Sequence, residues 1–363
     1  MAVSGPGHLL ALIRTRPHWT RRELLDATGM SRPTLLERLA PLFAAGLVHE
    51  AGPTRSEGGR PAQLIRFDDR SMVVLTFDVG HTRARVTYSG VHGRPLRSAS
   101  LALDLGSVSP ADVVTALAAA AGAGVSRRAA SGLGLAVGER LIGVGVGLPA
   151  PISPMTGLPA PSTVLPSFPA ARMRRLWDVP VVFENDARAF ALGAALSRAP
   201  DADGVLLGVK WSSGIGAGVV VDGRCLTGAD GAAGDIGHIR VDPAGPLCRC
   251  GRRGCLAAFA AGYALQGASP VAAAHRVGEV LASLIALVNP RTLVLGGSIG
   301  AQPEVVSTVD EVVRAVAMPH SVGELRVVAS PPEEEAATAG LVELVVRRVL
   351  SPDAVDALTA PAA

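Results

Sequence analysis

Apolar residues recur at helical spacing three times in the first 47 positions, in "HLLALIRTR", "TRRELLDATG" and "SRPTLLERLAPLFAAGL". Thr20 with Glu23 three residues on has the form of a capping box, Gly29 suits the turn after the second segment, and Ser31 suits the cap of the third, with Pro33 in its first turn. Pro41 should kink or shorten that third helix. Leu35, Leu39 and Leu42 fall on one stripe, which leaves Arg32, Thr34 and Arg38 on the outer side, with side chains suited to phosphates and base edges in a major groove. Two β-prone runs follow in "LVHEAGPTRSEGGRPAQLIRF", around a Gly- and Pro-rich loop carrying Arg55 and Arg60. The pattern predicts a winged helix-turn-helix over residues 1–70, with Arg60 poised for a minor groove. A small helical bundle with solvated arginines is the competing reading, but a basic Gly-rich loop between strands has little packing purpose.

From Met72 the pattern changes to buried strands and glycine turns. "MVVLTFDVGHTRARVTYSG" reads as strand, tight turn and strand, and places Asp78, Gly80 and Thr82 where a carboxylate and backbone N–H groups meet a phosphate and its metal ion. A second such turn, "KWSSGIGAGVVVDGR", carries Gly214 and Gly216, and a third, "TLVLGGSIG", follows the helical "RVGEVLASLIALVNP". Three such turns suggest a nucleotide cleft between two related α/β lobes, drawn at residues 71–190 and 191–363. Between the first two turns, "PVVFENDARAFALGAAL" runs from a buried strand into a helix at Asn185 and Asp186. Asp186 reads either as the helix N-cap or, in a cleft, as a base for a sugar hydroxyl.

Composition changes little in this picture, and charge sharpens it. No run of eighteen or more apolar residues lacks a charge, and no secretion signal opens the chain, so a cytoplasmic protein without a membrane span is expected. Lys210 is the only lysine, which reads as a compositional bias toward arginine. Residues 1–70 hold ten arginines against seven acids, which accounts for the whole net charge of +3 and assigns any polyanionic partner to that segment.

Three of the four cysteines, Cys248, Cys250 and Cys255, lie within eight residues, and His238 stands ten before the first. Three thiolates and an imidazole complete a closed, structural Cys₃His zinc site. A disulfide is disfavoured by compartment and leaves one thiol over, and unliganded buried thiols are the other reading. Cys225 lies outside the spacing and reads as a core residue.

Together these motifs resemble the ROK family of repressors, open reading frames and kinases. "GDIGHIRVDPAGPLCRCGRRGCLAAFAAG" is close to the family signature in which Glu-x-Gly-His precedes CxCGxxGCLE. "ENDARAFALG" resembles its catalytic-aspartate segment, "DVGHT" and "SSGIGAGVVVDG" its phosphate loops, and "GVGLPAPISPMTGLPAPS" the loop that helps cover the sugar. A winged helix ending in Gly58, Gly59, Arg60 and Pro61 is similar to the family's sugar-responsive regulators. The resemblance implies an actin-like, hexokinase-like pair of lobes, with Asn185, Asp186 and Asp235 at the sugar, and His238 both binding zinc and reaching toward the sugar.

It also marks departures. His81 stands for the second glycine of the first phosphate loop and Arg83 for its lysine. Asp235 is one methylene shorter than the family glutamate, Ala257 lacks the carboxylate of GCLE, Ala150 replaces the glycine of the sugar loop, and the segment after Gly262 is short. Each lost hydrogen-bond partner for a sugar costs about 1–3 kcal/mol. The expectation is a DNA-binding repressor, dimeric or tetrameric, whose lobes close on a sugar or sugar derivative and thereby misalign paired winged helices on operator half-sites. The alternatives are an ATP-dependent sugar kinase with Asp186 as base, and a regulator controlled by a protein partner.

Overall fold

The computed structural model describes residues 5–53, 63–122, 133–197, 204–330 and 332–360. Helix α1 (Pro6–Ile13) comes first, and α2 (Arg21–Thr28) and α3 (Arg32–Ala44) begin where their caps predict. The Glu23 N–H donates to Thr20 Oγ1 at 3.2 Å while the Glu23 carboxylate accepts from the Thr20 N–H at 2.6 Å, so two otherwise unpaired donors are satisfied reciprocally. Gly29 closes α2 in the left-handed conformation, with φ 66°. Strand β1 (Trp19–Thr20), together with the hairpin of β2 (Val48–Pro53) and β3 (Gln63–Phe67), forms a three-stranded sheet in the order β1-β3-β2. This is the element order expected of a winged helix-turn-helix. The wing tip, with Arg55 and Arg60, lies outside the described residues. Pro41 does not end α3, which runs on to Ala44, because the fully buried Leu39 and Leu42 anchor the turn on both sides of it.

The body contains the same sheet twice. The first has β4 (Met72–Val79), β5 (Arg83–Gly90) and β6 (Pro95–Ala102), then α4 (Pro110–Ala120), β7 (Arg140–Leu148), α5 (Ala170–Arg175) and β8 (Val181–Asn185). Helix α6 (Asp186–Leu196) leads to the second, with β9 (Val205–Trp211), β10 (Ile215–Val221) and β11 (Arg224–Cys225). After the cysteine-rich loop come α7 (Ala257–Ala260), α8 (Gly262–Leu265), α9 (Val271–Val288), β12 (Thr292–Gly296), α10 (Gly297–Gly300), α11 (Pro303–Val316), α12 (Pro319–Val322) and β13 (Arg326–Ala329). The orders β6-β5-β4-β7-β8 and β11-β10-β9-β12-β13 are equivalent: each is an antiparallel meander whose first strand pairs in parallel with the next strand of the sheet, which in turn pairs in parallel with the last. This duplication is the two-lobed, hexokinase-like architecture. Among the described residues α9 alone is long and apolar enough to cross a membrane, yet it carries Arg276 and Glu279 and buries Val277, Leu281 and Ile285 in the second lobe.

A division at residue 190 does not follow the structure, since it falls inside α6 and the chain's last helices leave the second lobe. Helix α13 (Glu333–Val349) packs Leu341 and Val345 over the glycines of β7, and α14 (Pro352–Thr359) packs on α1. An amphipathic helix must bury its apolar stripe, and this one buries it on the first sheet. Val342, Val345, Val346, Leu350 and Val355 share one core with Leu9, Leu10, Ile13, Trp19 and Leu24 of the winged helix and with Met72 and Val74 of β4. The Gly7 N–H donates to Asp356 Oδ1 at 2.7 Å.

Helices α6 and α13 cross at backbone contact. A Cβ on Gly193 would lie 1.7 Å from the Ala336 carbonyl oxygen, and one on Gly340 would lie 1.9 Å from that of Ala189. Gly340→Ala is therefore expected to destabilise the protein by about 1–3 kcal/mol in urea denaturation. Gly90→Ala, where an added Cβ meets nothing within 4 Å, should change it little.

Candidate functional site

The first strands of the two lobes end at a common cleft of about 840 Å³. Asp78 is the penultimate residue of β4 and Lys210 the penultimate residue of β9, so equivalent positions of the duplicated fold present opposite charges. The Lys210 Nζ donates to Asp78 Oδ1 at 3.3 Å and lies 3.1 Å from Asp186 Oδ2, with the lysine only 7% exposed. The chain's sole lysine thus stands between two carboxylates of the cleft.

Asp186 is the first residue of α6, not its cap. Asn185 holds the extended cap conformation, and its Oδ1 accepts the N–H groups of Ala187 at 3.0 Å and Arg188 at 3.1 Å, which frees the Asp186 carboxylate for the cleft. The Asn185 Nδ2 donates to the Ala150 carbonyl at 3.3 Å, so this side chain lines the cleft with its oxygen committed to capping. Arg188 was not singled out in the sequence, although Glu184 four residues before it was a usable signal. It is buried, binds the Glu184 carboxylate through Nε and Nη2 at 2.8 and 2.6 Å, and donates through Nη1 to the Gly231 carbonyl at 2.6 Å. That bond ties α6 to the second-lobe loop that leads into Asp235.

Around the two phosphate-type loops, side chains take up the space. Gly80 N–H donates to the Arg83 carbonyl at 2.9 Å and closes the β4–β5 turn, leaving Thr82 and Arg83 exposed. The His81 ring packs on Gly214, where an added Cβ would come within 3.0 Å of its Cε1. Burial pushes the His81 imidazole below its ordinary 6.5; Asp186 opposes this, and Arg249 and Lys210 add to it, so the ring is neutral at pH 7. A Cβ on Gly216 would meet the Ala187 Cβ at 3.0 Å, so this glycine serves the packing of α6. Ala257 is buried on the cleft wall where the family pattern has a carboxylate.

The His238, Cys248, Cys250 and Cys255 ligand atoms all lie within 4.8 Å of one another. Cys248 Sγ is 3.6 Å from His238 Nδ1, and Cys250 Sγ is 3.6 Å from Cys255 Sγ. A tetrahedral ion with zinc-like bond lengths needs edges of about 3.5–3.8 Å, so these four side chains fit a metal ion of that kind. The loop folds on itself through the Cys248 N–H to the Arg252 carbonyl at 2.7 Å and through bridges pairing Leu247 with Arg253 and Arg240 with Cys255. Gly254, at φ 74°, is needed there, because a Cβ would fall 1.5 Å from the Asp242 carbonyl oxygen. With Nδ1 toward the sulfurs, His238 turns Nε2 toward Asp235, 4.0 Å from its Oδ1. Cys225 stands apart, its thiol donating to the Arg188 carbonyl at 3.3 Å and pushed up to about 12 by burial.

On α3, Arg32 is exposed, while Thr34 and Arg38 are half-buried, away from the Leu35, Leu39 and Leu42 core stripe. Thr34 Oγ1 shares a 2.8 Å hydrogen bond with the Ser31 cap, and Arg38 lies 4.0 Å from Glu37.

Two duplicated lobes with a Cys₃His loop at the cleft wall define a hexokinase-like body, preceded by a helical module. The chain belongs to the ROK family: the ROK family model matches residues 134–274, and the chain is 31% identical over 261 residues to a glucokinase of Thermotoga maritima, covering 58% of this chain and 81% of that one. It is 27% identical over 255 residues to the xylose repressor of Bacillus spizizenii, covering 68% of this chain and 62% of the repressor. It spans about half the length of the N-acetylmannosamine kinases that it also matches. A crystal structure of a ROK family transcriptional regulator, a homologue of the E. coli MLC protein, superposes with a TM-score of 0.74 at 22% identity over 98% of both chains. Regulators and sugar kinases both stand among the relatives.

The Cys255 thiol is pushed up to about 12, first by burial and then by the neighbouring sulfurs, so metal binding must displace its proton. Lower pH therefore favours the metal-free thiol. One metal ion per chain is expected, with an affinity that falls when the pH drops from 8 to 6, measured by competition with a chromogenic chelator. Cys255→Ser should lose the ion and lower the melting temperature.

Proposed function

We propose that this chain is a DNA-binding transcriptional regulator, a repressor, that senses a sugar or sugar derivative between its lobes, with structural zinc held by His238, Cys248, Cys250 and Cys255. The observation that carries this reading is the shared core between the winged helix and α13, which also crosses the helix that presents Asp186. Closure of the lobes on a ligand moves α6, α6 moves α13, and α13 moves the winged helix. In this reading Arg32, Thr34 and Arg38 face a major groove, Arg60 enters a minor groove, and Asn185, Asp186, Asp235 and His238 line the ligand site. Two copies, or four, place paired winged helices on operator half-sites. The ligand must prefer the state that does not fit DNA, since equal affinity shifts nothing.

The full chain is expected to retard a DNA fragment from upstream of its own gene, and a member of a sugar panel should release it. Arg38→Ala should weaken binding about tenfold, a loss on the scale of one base or phosphate contact. If no upstream fragment binds at low salt, the regulator reading is wrong.

A sugar kinase is the second reading, favoured by Asp186 at the cleft and the likeness to a glucokinase. His81 against Gly214 and the alanine at position 257 oppose it. No sugar-dependent consumption of ATP is expected; turnover of any sugar in a coupled assay would favour the kinase.

A further inference from the structure

We infer that Lys210 is the cleft's built-in cation: its ammonium stands between Asp78 and Asp186 in place of a divalent ion, so the cleft binds its ligand without a metal–nucleotide. This rests on reading the cleft as a ligand site, and it concerns the kinase relatives' need for Mg²⁺, which these residues do not fit. Mg²⁺ is held by one or two carboxylates together with waters and substrate phosphates. Asp78 and Asp186 are the two carboxylates so placed, and a buried ammonium already lies 3.3 and 3.1 Å from them. A second, doubly charged cation at those oxygens would sit beside a like charge in a site where lysine, Asp78 and Asp186 side chains are only 8%, 11% and 17% exposed.

The choice of side chain supports the assignment. Every other Lys or Arg position in the chain is arginine, yet this one is lysine. An ammonium is a compact point charge with three donors that can be directed at separate acceptors, whereas a planar guanidinium forks toward one carboxylate. Asp78 belongs to the first lobe and Lys210 to the second, so the same ammonium also bridges the cleft. His81, seated against Gly214, fills space that a phosphate would need for close approach to the loop backbone.

Mn²⁺ titrated into the zinc-loaded full chain and followed by electron paramagnetic resonance reads the site directly. Wild-type protein should take up no Mn²⁺ in the cleft. Lys210→Met should gain one Mn²⁺ with at least tenfold tighter binding, and Asp78→Asn added to it should abolish the gain. Equal Mn²⁺ binding by wild type and Lys210→Met, or no gain in a Lys210→Met protein that melts cooperatively, would overturn the inference. If that variant does not fold, wild-type protein labelled with [ε-¹³C]lysine decides, because its side-chain carbon signal has a single source. That signal should not broaden with Mn²⁺ or Mn²⁺–ADP, and paramagnetic broadening would sink the assignment. A wild type that ignores every sugar but shows this Mn²⁺ pattern would end the sugar-sensor reading and leave Lys210 as assigned. A sugar-responsive wild type that binds Mn²⁺ at Asp78 would do the reverse.

Discussion

The contact on which the molecule turns is the crossing of α6 and α13, where two helices approach until backbone touches backbone at Gly193 and Gly340. Close packing of this kind cannot be deformed continuously, so the helices move together or exchange one discrete packing for another. The other side of α6 is held as firmly. Ala191 fits against Gly208 of β9 and Gly218 of β10, where an added Cβ would come within 2.7 and 2.6 Å of its own Cβ. Helix α13 in turn lies on β4 and β7 of the first lobe. One helix pair therefore joins the second sheet, the first sheet and the winged helix, and the buried Glu184–Arg188 ion pair adds the loop at Gly231 to the same body.

The cleft is walled in part by the glycine turns after β4 and β9. The glycine turns survive, but their space goes to His81 and Ala187 rather than to open backbone. The cysteine loop holds His238 with one ring nitrogen toward the sulfurs and the other toward Asp235. With a metal ion bound, a ring so oriented would be rigid, and rigidity at the wall of a site favours selection among similar ligands over adaptation to them.

What was legible in the sequence was local. The Thr20–Glu23 box, the left-handed Gly29, the Ser31 cap and the Leu35, Leu39 and Leu42 stripe depend on residues a few positions apart, and all appear as read. The cysteine cluster was legible for the same reason. Of the two readings of Asp186 the cap falls to Asn185 instead, because both side chains cap well and only the end of β8 decides which one does. Pro41 was read from its intrinsic effect on a helix, which the burial of Leu39 and Leu42 overrides. Lys210 was beyond reach, since its partner Asp78 is 132 residues away and its meaning depends on the equivalence of two strands. The return of α13 to the first lobe and of α14 to α1 was missed likewise, because an apolar stripe says that a helix is buried but not where.

The joining of α1 to α14 has a consequence for the order in which the chain is made. Gly7 and Asp356 are 349 residues apart, and the core around Leu9, Leu10 and Ile13 is completed by Val346, Leu350 and Val355. During synthesis the first helices leave the ribosome long before the residues that cover them, and contacts so distant in sequence form late. A nascent or truncated chain thus carries an unfinished winged helix. Only a molecule translated through its last helices, with both lobes present, has a finished N-terminal module.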